Sequence, residues 1–210
     1  MKKTASQTDL VKPMGLLLVL MLLLAGCTTP RLEAVVKIYD FGPAPVQTAA
    51  TEVRPGLAAV ALFEPQVGPA LEGNAVLYRL AYADAQQLKP YALTRWSMPP
   101  AQLISQRLRQ QLGEQRAVVA PGEAVAQFNV RLVLEEFSQV FDSPAQSHGL
   151  LRLRATLSQR IAGSEAVLAQ RSFVVQQPAP TPDAQGAVRA LTSASDQAVG
   201  QVSAWLARFH

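Results

Sequence analysis

Apolar and polar positions alternate most clearly between residues 128 and 176. Phe128, Val130, Leu132 and Leu134 are apolar, while Asn129 and Arg131 between them are polar, the period of two that marks a half-buried strand. The alternation slips at Glu135-Glu136, and Phe137, Val140 and Phe141 carry the apolar mass beyond it. A bulge and a simple strand end both account for the slip. After a polar loop over 143–149, Leu151, Leu153, Ala155, Leu157 and Ile161 point one way. Arg152, Arg154, Thr156, Ser158 and Arg160 point the other. A tight turn at 162–165 leads into 166–176, so 150–176 forms an antiparallel hairpin.

Upstream, 35–41 is strand-like and ends at Gly42-Pro43. The Ala-, Pro- and Thr-rich stretch 44–56 reads as a loop. The run 57–64 (LAAVALFE) is almost continuously apolar and suits a strand covered on both faces, in the middle of a sheet. Segments 75–81 and 88–94 make a second hairpin around a turn at 82–87, closed by Trp96. Pro99 and Pro100 mark a helix start, with Leu103, Ile104, Leu108 and Leu112 as its apolar stripe, Gln106, Arg107, Arg109 and Gln110 largely outside it, and Gly113 as its stop. Residues 116–119 form a brief strand. Beyond the proline-rich 177–182, Asp183 can cap a final helix in which Val188, Leu191, Ala198, Val199, Val202, Trp205, Leu206 and Phe209 recur at spacings of three and four. Strands segregated from two helices predict an α+β fold: an antiparallel or mixed sheet of about five to seven strands with both helices packed on one face.

One segment belongs to none of these elements. Met14–Cys27 (MGLLLVLMLLLAGC) is too short for a bilayer span, which takes about 20 apolar residues, and has the length of a signal-peptide core. Lys2, Lys3 and Lys12 supply its positive flank, and Leu24, Ala25, Gly26 and Cys27 close it in the pattern of a bacterial lipobox, in which the thiol is lipidated and the chain is cut before Cys27. The alternatives are an ordinary secretory signal with a chance cysteine, or a membrane anchor. The expected organisation is a signal peptide over 1–26, an acylated cysteine and tether over 27–34, and a single domain over 35–210.

Removing residues 1–26 leaves 184 residues, enough for one domain with a real core. It also takes away three lysines and Asp9, so the net charge falls from +4 to +2, and no nucleic-acid partner is expected. Cys27 is the sole cysteine, so the processed chain forms no internal disulfide. The two histidines, His148 and His210, have no cysteine or spaced acidic partner near them in sequence, and no metal or other cofactor is expected beyond covalent lipid on Cys27. Two acyl groups would give stable anchoring. Thr28 follows the cysteine where enteric-type inner-membrane retention uses Asp, which favours the periplasmic leaflet of the outer membrane over the inner membrane.

No G-x-S-x-G, H-E-x-x-H, G-x-x-x-x-G-K-[ST] or C-x-x-C pattern is present. Ser147-His148 is adjacent only in sequence, and Glu135-Glu136, as strand neighbours, should face opposite ways. No catalytic residue is assigned. The arginines Arg152, Arg154 and Arg160, with Arg131, read either as a solvated sheet face or as a contact strip for an acidic partner or lipid headgroups. Trp96 and Trp205 read as core seals or interface residues. Phe137 and Phe141, in FSQVF, are a docking patch if exposed and a strand extension if buried.

The order of features, a lipobox, then Tyr39-Asp40-Phe41-Gly42-Pro43, the apolar strand 57–64, the entry Tyr91–Trp96 and the Leu- and Arg-rich helix around Leu103–Leu112, resembles the ABC-type transport auxiliary lipoprotein family over about residues 35–209. That family includes the lipoprotein of the paraquat-inducible transport system. Pro65–Leu71 matches the family's usual stretch after the second strand only loosely. The resemblance implies a non-catalytic accessory part of an envelope lipid transporter. Its partners would be a mammalian-cell-entry (MCE) domain protein bridging the periplasm, with an inner-membrane permease and ATPase, and homo-oligomeric rings are implied as well. An outer-membrane assembly lipoprotein that binds a barrel protein or lipopolysaccharide is the alternative.

Overall fold

The alternation that starts at Phe128 builds a strand of sixteen residues. The computed structural model describes residues 34–43, 57–161 and 163–209, and within it Val36–His210 forms one compact unit. The signal segment, the lipobox Leu24–Cys27 and the whole 44–56 loop lie outside the described residues.

Among the described residues nine strands form one mixed sheet: β1 (Lys37–Tyr39), β2 (Val60–Leu62), β3 (Gln66–Val67), β4 (Ala75–Leu80), β5 (Asp84–Trp96), β6 (Val118–Val119), β7 (Phe128–Ser143), β8 (Gln146–Ile161) and β9 (Ser164–Pro178). The sheet is thus larger than the five to seven strands expected, and it is mixed. The added strands β3 and β6 are two residues each, too short to leave a periodic signal.

The long strand β7 is the spine. Along one edge it pairs antiparallel with β8 from Phe128–Gln159 to Ser143–Gln146. Its other edge takes three short parallel strands in series: β2 opposite Phe128–Val130, β3 opposite Val133–Leu134 and β4 opposite Gln139–Phe141. Beyond these, β6 lies on β2, β5 on β4, and β1 on β5, while β9 lies on β8. The expected burial of 57–64 is concentrated in Val60, Ala61 and Leu62, which are buried between β6 and β7.

The slip at Glu135-Glu136 is a bulge. Leu134 stands opposite Leu153 and Glu136 opposite Arg152, so Glu135 is the extra residue. Phe128, Val130, Leu132 and Leu134 before it, and Phe137 and Phe141 after it, are all buried. Without one inserted residue the second group would face the other side, because the side-chain period is two. The expected loop over 143–149 is mostly strand. Only Pro144-Ala145 turns the chain, the Gln146 N–H donates to Ser143 Oγ at 3.1 Å, and polar residues there complete the ladder.

Helix α1 (Pro100–Gly113) and helix α2 (Ala184–Leu206) share one core cluster with the inward side chains of the sheet. Asp183 caps α2 as expected: its Oδ1 accepts from the Gly186 N–H at 2.8 Å, and this bond leads the causes that hold its carboxyl below the usual range. The whole predicted stripe of α2 from Val188 to Leu206 is buried, and Phe209 packs against the core edge-to-face with Trp205, ring centres 5.6 Å apart. Trp96 and Trp205 are core residues. Ile161 departs from its row and is half exposed at the hairpin tip.

Two arginines are buried, and one of them, Arg107, was expected outside the apolar stripe. Arg107 leaves the apolar stripe of α1 yet is buried because its Nη2 donates to the carbonyls of Phe41 and Gly42 at 2.7 and 3.2 Å, while its Nε sits 3.2 Å from Asp196 Oδ1 on α2. The Arg107–Asp196 alignment is too poor for a hydrogen bond, so charge holds that pair. Burial pushes the Asp196 carboxyl up and Arg107 opposes it. Arg116 donates to the Leu206 carbonyl at 3.2 Å, at the C-terminal end of α2 where a cation suits the helix dipole, and burial lowers its pKa.

Helix α2 crosses β8 at Gly149. A Cβ there would lie 2.9 Å from the backbone C of Ala190 and from N of Leu191, a contact neither backbone can yield. Gly149→Ala should therefore cost about 1–3 kcal/mol, as overpacking does. Urea unfolding of the purified variant checks this; an unchanged midpoint would show that α2 is not seated on the strand at that point.

Candidate contact face

Both helices lie on one side of the sheet, so outward positions of β7, β8 and β9 form the face that neither helix covers. The ladder fixes which residues share it: Asn129 opposite Ser158, Arg131 opposite Thr156, Val133 opposite Arg154, and Glu136 opposite Arg152. Arg152 and Arg154 in turn oppose Val174 and Ser172 of β9. Alternation along β8 therefore does bring Arg152, Arg154 and Arg160 onto one face with Arg131.

Carboxylates interleave with those arginines. Arg154 Nη2 meets Glu135 Oε1 at 3.2 Å, and Arg79 Nη2 from β4 meets Glu136 Oε2 at 3.1 Å. The bulge turns both glutamates toward this face, correcting the expectation that they point opposite ways. Each has its own arginine, so they do not share a proton. Ser138 Oγ also donates to Glu136 Oε1 at 2.7 Å. Arg131 grips Glu165 at both carboxylate oxygens, with Nη2–Oε2 at 3.0 Å, and its guanidinium lies 4.1 Å over the Phe63 ring. Ser158 Oγ also donates to Glu165. Arg131, then Ser158 and Asn129, hold the Glu165 carboxyl down at about 2, and Glu165 in turn raises Arg131. Among the described residues Arg152 and Arg160 have no carboxylate within 4 Å, so two of the four charges are matched and two are open.

At the N-terminal end of β7 this face holds an open cavity of about 320 Å³, bounded by the 121–126 loop, Phe63, Asn129, Arg160 and the β8–β9 turn. A second, of about 140 Å³, lies beside Asp40–Gly42 and α1. There Gly42 takes φ 65°, its N–H accepted by Asp40 Oδ1 at 2.7 Å, while Phe41 packs on Trp96 with ring centres 5.5 Å apart. The Asp-Phe-Gly sequence is thus a turn that drives an aromatic plug into the core.

Phe137 and Phe141 are buried, 1% and 7% exposed, so FSQVF extends the strand and offers no exposed docking patch. Both rings are claimed by other aromatics: Phe137 by Trp96 at 5.7 Å and Phe141 by Tyr78 at 6.1 Å. Ser147 Oγ accepts from Gln139 Nε2 at 2.8 Å, whereas His148 Nδ1 lies 2.9 Å from Asp142 Oδ2, so serine and histidine have separate partners. Gln139 is fully buried and also accepts from the Tyr91 hydroxyl, whose pKa burial raises, with Tyr78 and Asp183 adding to it. Sequence reasoning missed this Tyr91–Gln139–Ser147 chain; a glutamine two residues before Phe141, on its inward parity, was the available signal. Among the described residues no three His, Cys, Asp or Glu side chains gather, and no helix is long and apolar enough to cross a membrane.

These features define a two-layer α+β domain with a charged, helix-free sheet face. The family model of the ABC-type transport auxiliary lipoprotein component matches residues 39–203, and the chain belongs to that family. Among solved structures it is similar to protein XCC0632 of Xanthomonas campestris, assigned to DUF330, at 15% identity and TM-score 0.64, covering 80% of this chain and 94% of that one. A second similar structure, described as an uncharacterized protein, shares 15% identity at TM-score 0.61, covering 82% and 99%. These likenesses show the fold. Among curated proteins none matches the chain.

The Arg131–Glu165 pair carries a pH prediction. Because folding lowers the Glu165 pKa, its contribution is present above the usual carboxylate range and is lost as pH falls toward about 2. Glu165→Gln should be less stable at neutral pH and should show a shallower loss between there and about pH 2, measured by urea midpoints across pH. An acid limb as steep as that of the parent protein would contradict the assignment.

Proposed function

We propose that this protein is a non-catalytic, lipid-anchored accessory component of an ABC/MCE-type intermembrane lipid transport system. In this reading it is held at the periplasmic leaflet of the outer membrane and docks the MCE-domain bridging protein there. The permease and ATPase of the same system sit at the inner membrane, and several copies assemble as a ring around one conduit. The observation that carries the reading is the family match over residues 39–203, which begins inside the Tyr39–Pro43 motif and runs almost to the end of α2. The lipobox ahead of it supports the anchor, and Thr28 after Cys27 supports the outer membrane.

The anchor is part of the mechanism: a covalently lipidated cysteine carrying two acyl signals stays on its membrane, whereas a single chain exchanges. The domain would then act by position, holding a partner-binding surface at one membrane. Arg152 and Arg160, whose charges are open, and the paired Arg154 and Arg131 beside them are the side chains proposed to meet that partner.

Two measurements test this. Metabolic labelling with an alkyne-bearing palmitate should mark the parent protein and leave Cys27→Ala unmarked; label on the variant would remove the anchor assignment. Co-purification from intact membranes in mild detergent should recover the MCE-domain bridging protein with the parent protein. Recovery of a barrel protein or lipopolysaccharide in its place would favour the outer-membrane assembly role, and recovery of neither would sink the docking reading.

A further inference from the structure

The sheet edge that follows the lipobox carries apolar side chains that the described residues leave open. Strand β1 pairs with β5 alone, setting Lys37 opposite Thr94, Ile38 opposite Arg95 and Tyr39 opposite Trp96. Thr94 and Trp96 are buried toward the helices, so Ile38 and Arg95 belong to the helix-free face, and Leu93, two residues before Arg95, shares it. Ile38 is 69% exposed and Leu93 44%, while Val36, two residues before Ile38, is 46% exposed. Scattered singly, such residues are ordinary; gathered on two neighbouring strands at a sheet edge, they mark a contact surface.

Cations accompany the patch. Lys37 stands between Val36 and Ile38 and is exposed. Arg95 donates Nη1 to the carbonyls of Tyr91 and Thr94, leaving Nε and Nη2 open. Among the described residues neither cation has a carboxylate partner, and Asp40, which follows β1, is engaged by the Gly42 N–H. Apolar side chains beside unpaired cations suit the headgroup region of an anionic bilayer, where the apolar part enters the acyl boundary and each Lys or Arg meets phosphate.

The chain ahead of the patch puts that surface within reach. Val36 lies nine residues beyond Cys27, so an acylated cysteine holds it within about 32 Å of the membrane, at about 3.6 Å per residue at most. Across the sheet the order from this edge is β1, β5, β4, β7, β8 and β9. At about 4.8 Å per strand, β8 lies about 19 Å and β9 about 24 Å from β1.

We infer that the β1–β5 edge rests on the bilayer that holds Cys27, with Val36, Ile38 and Leu93 in the headgroup region and Lys37 and Arg95 on the phosphates of anionic phospholipid. The contact rests on the lipid anchor proposed above and deepens it by giving the domain an orientation. With this edge down, Arg152 and Arg154 on β8 stand clear of the membrane, free to meet a partner.

The test uses the full-length lipoprotein in vesicles of phosphatidylcholine with one-quarter phosphatidylglycerol, part of the lipid carrying a doxyl quencher. Acylation occupies the only native thiol, so an introduced cysteine takes an environment-sensitive dye at one position alone. Dye on Ile38→Cys and on Leu93→Cys should be blue-shifted and quenched by the lipid, and dye on Val174→Cys, on β9, should be neither. In phosphatidylcholine alone the ratio of quenched to unquenched dye at position 38 should fall about fivefold for each cation that loses its anionic partner. Lys37→Gln should produce one such step in the mixed vesicles. Val36→Asp should abolish quenching at position 93 while Val174→Asp leaves it intact, unchanged circular dichroism showing both folded.

Dye at 38 and 93 that stays unquenched on floated vesicles would overturn the inference. Equal quenching at 174 would also overturn it, because the whole face would then lie on the bilayer. A blue shift without lipid quenching would put a protein on the patch in place of lipid, and quenching indifferent to phosphatidylglycerol would overturn the anionic-lipid assignment. If Cys27 is not acylated, the parent protein itself takes the dye and does not float with the vesicles. That result removes the anchor and this contact with it, whereas floated protein with unquenched dye removes the contact alone.

Discussion

The backbone ladder of β7 is the constraint on which the structure depends. One edge of that strand is paired from end to end by β8, and its other edge is shared by β2, β3 and β4, so its backbone groups serve four partner strands. The three short strands could not persist alone, since even an isolated two-stranded hairpin is marginal in water. They hold because β7 offers a preformed template and because Val60, Leu62 and Val76 add to the core at roughly 1.5–3 kcal/mol for each large apolar side chain fully buried. The bulge at Glu135 lets one strand serve two stretches of core while keeping a single face inward.

The same strand divides the molecule into a side covered by the helices and an open side. Its inward positions meet α1 and α2 and are closed to partners, as the burial of Phe137 and Phe141 makes plain. Its outward positions carry Asn129, Arg131, Glu135 and Glu136, which organise the ion pairs of the open face. Surface pairs of this kind contribute little to stability, so their value lies in orienting side chains and in leaving Arg152 and Arg160 as the unmatched charges. On the covered side, Phe41 and the Arg107 clasp fix the segment that follows β1, giving the Tyr39–Pro43 motif a physical meaning: a turn, a plug and two carbonyls held by one guanidinium.

Much of this was legible in sequence where a period ran long. The hairpin from 150 to 176, the α2 stripe and the Asp183 cap depend on local chemistry repeated over many residues, and they stand where the pattern puts them. The class and the family followed from the same features. What the sequence could not show arises from distant partners. Two-residue strands such as β3 exist only because β7 is beside them. Arg107 and Arg116 are buried because carbonyls and a carboxylate from elsewhere receive them. Glu135 and Glu136 share a face because a bulge rotates one of them. The arginine row was visible as a row, but whether each charge is matched depends on Glu135 across the ladder and on Glu165 across the next hairpin.

Native-state hydrogen exchange on the full-length protein tests most directly whether β7 is the spine. The account predicts that amides of β7 and of its partner positions on β8 are the slowest, on both sides of Glu135, and that they exchange together at the free energy of global unfolding. If amides before and after the bulge exchanged as two independent groups, or if β9 amides outlasted those of β7, the sheet would not be organised around that strand.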